Sequence, residues 1–554
     1  MAEVSGAEAL LLEILGLTFL AYVLNADEAR LRDRLQSGEP LEPQQEAALG
    51  ELVAFLGAIA QDPDSQHAAV RSLSLGALGE YQPALGQSWT RATRSVAGGV
   101  DKTPVPKGPI ESSLIAIAGD VYPLCLLPHP DDTHFKVFTG PPISTAVFRH
   151  PQTKVFESAV MNDKTLKQLF PEENEHSGRH GTIYRSTGSG GGIQLSMLAS
   201  GLLENAWQAA IQTNANPDLA VYTQCALDQL SAIRKAILNK PLTVKALVGV
   251  TGLRLPDGVT VPLPSGRLRS ATEHDRQMAP PGLSGKLTTT TEDGKQIVID
   301  YAGDLVMEMD VPYKVKLGPA DGTEGWPTEL ISQETVEERL ETLRLALLLS
   351  TARPALPTAL GTWTVYLDPL AIGGRGSSWR DPRKSRSIMP VLLTKAEAKK
   401  WGEWIQLVDD RRVKNINVAI RRTLFAAADR VDPTDALVDA VIAWENLVGS
   451  SQGEPTLRIA AALAWLLGKT ASERQDIRSQ VAALYKIRSH VVHGNRFLKP
   501  KESDEKHREA LDLAVRSMRV MFRDRPELLT ECKDSTERSL RLILNERPKT
   551  PKNK

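Results

Sequence analysis

The spacing of apolar residues changes period along the chain. Between residues 7 and 60 it predicts short helices: an apolar run to Leu24, a charged segment from Asp27 to Leu35, a Ser37-Gly38-Glu39-Pro40 break, then Pro43 to Ala60. The pattern weakens from Ser72, and Val100 to Pro109, with prolines at 104, 106 and 109, reads as a linker. Ile115 to Ala118 and Val121 to Leu127 suggest short strands, bounded by Pro123, Pro128 and Pro130. Helical spacing returns at about 193–212 and from Pro217 to Lys240.

Residues 242–320 alternate with period two. Leu242 to Val250 and Gly258 to Val261 read as strands, and Leu287 to Thr291 with Gln296 to Tyr301 as a hairpin turning at Asp293-Gly294 in a type I′ turn. Leu305 to Lys316 supplies another β run, a helix follows from Thr335 to Leu349, and Thr362 to Leu367 is one more strand. An antiparallel sheet or small sandwich is expected. Gly373 to Arg386 reads as a basic loop carrying Arg375, Arg380, Arg383, Lys384 and Arg386, either solvated or able to touch phosphate.

From Thr394 the period is helical again, with helices expected at 394–409, 413–430, 434–449, 455–468, 472–492 and 503–523. Asp432-Pro433-Thr434-Asp435 marks one start, and Ser472 with Gln475 has capping-box spacing at another. Leu437, Val441 and Trp444, beside Val438 and Ile442, form the wide apolar face of a compact bundle. The fold class is α+β and multidomain: a helical region at 1–99, a mixed α/β region at 110–240, a β-rich domain at 241–393, an all-α bundle at 394–525 and a basic tail at 526–554.

The formal net charge is only -1, which argues against a uniformly basic coat, but charge is segregated. Residues 471–554 hold 20 Lys and Arg against 13 Asp and Glu, a surplus of seven positive charges at one end that suits a polyanionic partner. Cys125, Cys225 and Cys532 lie far apart and no Cys/His cluster has zinc spacing, so neither metal nor disulfide framework is expected. The apolar run Leu10 to Leu24 is interrupted by Glu13 and lacks a basic lead or cleavage-like end. The reading is a cytoplasmic chain with no membrane partner. Ser186-Thr187-Gly188-Ser189-Gly190-Gly191-Gly192 precedes a helix, as phosphate-binding loops do, but lacks the Gly-Lys-Ser/Thr ending, and a plain loop is the simpler reading. No cofactor is implied.

Chemistry is concentrated in Tyr485-Lys486-Ile487-Arg488-Ser489-His490-Val491-Val492-His493-Gly494. Val481, Leu484, Tyr485 and Arg488 follow at i, i+3, i+4 and i+7, which places a guanidinium on the apolar stripe of its helix, where a charge needs a partner or a task. The decamer resembles the end of an Apea-like HEPN domain, a family of α-helical nucleases and toxins marked by Arg followed four to six residues later by His, here Arg488 and His493. Ala440 to Leu447, with Glu445 in its "LE" position, and Leu457 to Gly468 echo the family's preceding helices, so the resemblance spans 411 to 525. The bare spacing also occurs at Arg269 and His274, in a turn-rich context without a long helix. Residues 7–60 resemble a degenerate Xre-type helix-turn-helix in which Arg30, Arg32 and Arg34 could face a groove, with a plain helical bundle as the alternative.

The HEPN resemblance implies an endoribonuclease with His493 as general acid/base and Arg488 as transition-state stabiliser. Glu445 would partner Arg488, or equally Arg458, and Tyr485, Ser489 and His490 would lie beside the site. RNA supplies its own 2′-OH nucleophile, an imidazole with a pKa of about 6.5 can move the proton, and a guanidinium can grip two phosphate oxygens. Five residues separate the pair by about 140° around a straight helix, so one helix converges them poorly. In the family a two-fold homodimer supplies the remedy. The resemblance points to a toxin or phage-defence effector acting on RNA, with the front half sensing a phage or host trigger. The alternative is a non-catalytic regulator in which the bundle dimerises or binds nucleic acid.

Overall fold

A computed structural model describes residues 6–37, 39–61, 74–128, 142–170, 172–174, 178–180, 183–185, 190–191, 193–214, 216–280, 283, 285–290, 296–318, 331–353, 356–371, 375–384, 389–449, 454–495 and 497–545. The chain packs as two compact units. One holds residues 1–245, 312–333 and 365–377, the other 246–311, 334–364 and 378–554. Residues 394–525 and most of 241–393, separate stretches by periodicity, therefore lie in the same unit.

The first unit is mostly helical: α1 (Gly6–Val23), α2 (Glu28–Ser37), α3 (Pro43–Gln61), α4 (Trp89–Val96), α5 (Pro109–Cys125), α6 (Ser144–Arg149), α7 (Pro151–Asn162), α8 (Leu195–Thr213) and α9 (Leu219–Ile237). The first three fall close to their expected places, and Gly16, at φ +72°, breaks α1. Arg34 grips Glu46 of α3 at 2.7 Å and 3.1 Å, and Arg30 reaches Glu42 at 3.4 Å, so these two arginines already have carboxylates within the unit.

α5 corrects the strand reading of 115–127. Pro109 stands in its first turn, where a missing N–H costs nothing, and Ile110, Leu114, Ile117, Val121 and Leu124 form a buried stripe of helical spacing. Of the glycine-rich run, Gly190 and Gly191 pair as a short strand with Arg185 and Tyr184, while 186–189 and 192 lie outside the described residues.

The largest sheet has six strands in the order Arg375–Trp379, Leu360–Leu367, Thr243–Thr251, Leu305–Pro312, Gly266–Ser270 and Val261–Leu263. The last three are antiparallel neighbours. The strand expected at 258–261 starts later because Gly258, at φ +71°, sits in a turn closed by Val259 N–H to the Pro256 carbonyl at 3.0 Å. The hairpin forms as expected between Lys286–Thr290 and Gln296–Asp300, its turn lying outside the described residues. The basic segment at 373–386 is corrected in part: its first half is the sheet's Arg375–Trp379 strand, Arg383 is paired with Asp381 at 2.8 Å and Arg380 with Asp429 at 3.5 Å. Arg386 falls outside the described residues.

The second unit also holds α10 (Glu273–Met278), α11 (Ile331–Ser350), α12 (Lys395–Arg411), α13 (Asn417–Leu424), α14 (Pro433–Val448), α15 (Pro455–Leu467), α16 (Ala471–Val492), α17 (Pro500–Arg523), α18 (Glu527–Thr530) and α19 (Ser535–Ile543). α12 to α17 match the expected helices, with a single π-helical turn, Phe425–Asp429, extending α13. α14 is central, burying Leu437, Val441, Trp444 and Leu447 against its neighbours. The residues read as a basic tail are instead partly folded. Arg538 of α19 is fully buried, donating from Nε to the Leu447 carbonyl at 2.7 Å and from Nη2 to that of Asn446 at 2.9 Å, so it caps the orphan carbonyls ending α14.

Candidate functional site

α16 is set at both ends by local chemistry. At its start the Thr470 hydroxyl accepts from Glu473 N–H at 3.2 Å, and the Glu473 carboxylate accepts from the N–H groups of Lys469 at 2.7 Å and Thr470 at 3.2 Å. The capping box is thus Thr470 with Glu473, two residues ahead of the Ser472 to Gln475 match. At its end Gly494, at φ +70°, donates to the Val491 carbonyl at 3.0 Å and Asn495 to that of His490 at 2.8 Å. This is a Schellman stop, and it makes His493 the C-terminal cap.

Between these ends Ile477, Val481 and Leu484 are buried and Arg488 continues the same stripe. Its side chain is 22% exposed. α14 supplies the partner. Glu445 accepts from the Tyr485 hydroxyl on Oε1 at 2.9 Å and faces Arg488 Nη2 from Oε2 at 3.5 Å. The guanidinium carbon lies 5.9 Å from the centre of the Tyr485 ring. Burial, and then the hydrogen bond to Glu445, push the Tyr485 phenol up from its ordinary value and keep it a donor.

Arg488 is held incompletely. Among the described residues its one carboxylate contact is at the limit of hydrogen-bond length, and its Nε is shut off from solvent without a hydrogen-bond partner. Arg344, buried in this unit, is better matched: it reaches Asp429 at 2.7 Å and the Ala359 carbonyl at 2.8 Å, whereas Arg541 shares the unmatched Nε but has Glu531 at 2.7 Å.

The structure brings Tyr485, Glu445 and Arg488 together. It does not close the set: His490 is half-buried, His493 is exposed, and among the described residues no hydrogen bond or ion pair joins either to Arg488. Ser489 contributes its carbonyl to His493 N–H at 3.1 Å. Arg458, half-buried in the first turn of α15, is the remaining expected neighbour.

Sequence reading passed over two features. Phe497, just beyond the helix stop, is almost wholly exposed; an aromatic residue after a terminating glycine, with basic residues around it, was the available signal. In the first unit, Asp120 accepts from His150 Nε2 at 2.9 Å and from Ser88 N–H at 3.1 Å, while His150 Nδ1 accepts from Gln152 N–H at 3.1 Å as the cap of α7. This buried set is internally satisfied and solvent does not reach it, so it serves packing.

No family model, curated protein or solved structure matches the chain. Among the described residues no group of three or more His, Cys, Asp or Glu side chains is arranged to hold a metal ion, and no helix is long and apolar enough to cross a membrane.

Proposed function

We propose that the protein is an endoribonuclease of the HEPN kind, in which Arg488 stabilises the phosphorane and His493 is the general acid/base, and which cuts RNA without a metal cofactor. The observation that carries this reading is the under-satisfied Arg488. A guanidinium that is 22% exposed and holds Glu445 by a single long contact keeps hydrogen-bonding capacity for phosphate oxygens, five residues along the chain from an exposed imidazole.

The reaction needs a base to take the 2′-OH proton as O2′ attacks phosphorus, and an acid to protonate O5′ as its bond to phosphorus breaks. Two imidazoles meet both needs, and one copy of α16 offers His493 alone at the exposed end. A two-fold dimer supplies the second His493 and a second Arg488 across one cleft. Tyr485 and Glu445 position the guanidinium. The rest of the chain senses or scaffolds, consistent with a toxin or defence effector released by a phage or host trigger.

The test uses mixed dimers of the full chain, one subunit wild type and the other His493→Ala, with single-turnover RNA cleavage as the readout. A shared cleft predicts strong impairment, well below half the wild-type rate. Half activity, or cleavage by a strictly monomeric protein, rules out the composite site. Overexpression offers a cellular counterpart: growth arrest that His493→Ala abolishes in a folded protein supports catalysis, and arrest that persists favours a regulator that dimerises or binds without cutting.

A further inference from the structure

The turn after α16 displays an aromatic ring that packing does not use. Phe497 is 98% exposed, while its neighbour Leu498 is buried. The turn is anchored on both sides. Gly494 and Asn495 are bonded back to α16; beyond the ring, Pro500 begins α17, Ser503 N–H donates to the Lys499 carbonyl at 2.8 Å, and the Ser503 hydroxyl meets that of Thr434 at 2.9 Å. The ring therefore stands close in sequence to His493, between Asn495, bonded back to α16, and the start of α17.

Charge indicates what the ring meets. Residues 477–501 contain Arg478, Lys486, Arg488, Arg496, Lys499 and Lys501 and no Asp or Glu, in a chain where the two acids number 67 of 554 residues. An apolar protein partner would be matched by a broad apolar patch, whereas this ring has Arg496, Lys499 and Lys501 within four residues in sequence and the first carboxylate, Glu502, five residues on. Cations that track a phosphate backbone, with an aromatic face for a base, form the surface that single-stranded nucleic acid recognises. A duplex keeps its base faces stacked and offers the ring nothing to bind.

We infer that Phe497 stacks on an unpaired base of the substrate, so that the site at Arg488 and His493 acts on single-stranded RNA; this rests on the ribonuclease reading for its catalytic part. The probe is a short, labelled 2′-O-methyl oligonucleotide, which has no free nucleophile, used as a single strand and as a duplex and titrated with the full chain by fluorescence anisotropy. Phe497→Ala is expected to weaken single-strand binding about tenfold and to leave duplex binding unchanged, Phe497→Trp to retain the affinity, and Phe497→Leu to behave like alanine. With cleavable RNA, Phe497→Ala should raise KM far more than it lowers kcat. Its exposure makes a folding defect in these variants easy to exclude by melting temperature.

Unchanged binding by Phe497→Ala, equal rescue by leucine and tryptophan, or no binding of either probe by the wild type overturns the inference; rescue by leucine points to an apolar protein contact instead. The two readings separate cleanly. Ring-dependent binding without cleavage by the wild type keeps the stacking surface and removes the nuclease, and cleavage with an unaltered KM in Phe497→Ala does the reverse.

Discussion

Two Arg-His pairs with the same spacing of five residues have opposite surroundings in the second unit. Arg269 lies on a sheet strand, holds both carboxylate oxygens of Asp275 at 2.5 Å and 3.0 Å, and adds Glu308 at 3.2 Å through Nε. Burial works against its charge, yet the two carboxylates outweigh it and raise its pKa above the ordinary arginine value. Arg488 has one carboxylate at 3.5 Å and an unmatched Nε. His274 sits inside a six-residue helix, whereas His493 caps a helix of 22 residues. Spacing alone therefore says little. A guanidinium that is fully matched stabilises the fold, and one held by a single long contact and partly exposed keeps capacity for a ligand.

The contrast breaks down most visibly if the wrong arginine matters for activity. Arg488→Ala and His493→Ala should each lower single-turnover cleavage by about 10²–10⁴-fold with little change in urea midpoint, since neither opens an apolar cavity. Arg269→Ala should do the opposite. Leaving Asp275 buried without its cation, and Glu308 with Arg267 alone, should cost about 3–5 kcal/mol of stability, while cleavage per folded molecule persists. Loss of activity in a well-folded Arg269→Ala protein would erase the distinction.

Arg538 sharpens the structural side of the comparison, because it is buried with carbonyl oxygens in place of carboxylates. Arg538→Ala should destabilise by about 3 kcal/mol in a urea melt, through the carbonyls of Asn446 and Leu447 that it leaves unpaired at the end of α14. Tyr485→Phe tests the positioning of Arg488. It should cost about 1 kcal/mol by removing the bond to Glu445 Oε1 and alter cleavage less than Arg488→Ala does. The smallest effect concerns pH. Arg353, and then the Thr394 N–H, hold the Glu397 carboxyl down to about 2, so the stability it contributes is fully present above the unfolded glutamate value of about 4.3 and is lost as pH falls through the folded value. Glu397→Gln should flatten that part of the Tm-against-pH curve, and an unchanged acid limb would show that the pair adds nothing.

The helices of the second unit were legible because their signals are local: Asp432 capping α14, the apolar stripe of α16 and Gly494 in the left-handed region beyond it. α5 was misread because Pro123 and runs of Ile, Ala and Val look strand-like when taken a few residues at a time, whereas the stripe from Ile110 to Leu124 is visible only over the whole segment. Arg269 with Glu308 and Arg538 with Leu447 unite residues 39 and 91 positions apart, and no local pattern encodes such partners. Glu445 was found because it falls at the "LE" position of the HEPN resemblance, and the structure adds the hydroxyl of Tyr485 to it. The exposure of Phe497 depends on how its neighbours pack and had to be seen in the fold.

The central claim is that a histidine and an arginine cut RNA through its own 2′-OH. The most direct measurement is to incubate RNA with the purified full chain in EDTA and identify the ends of the products. The account predicts 2′,3′-cyclic phosphates, formed equally with and without chelator and absent with His493→Ala. Products bearing 5′-phosphates that vanish in EDTA, or cleavage undiminished in His493→Ala, would contradict it.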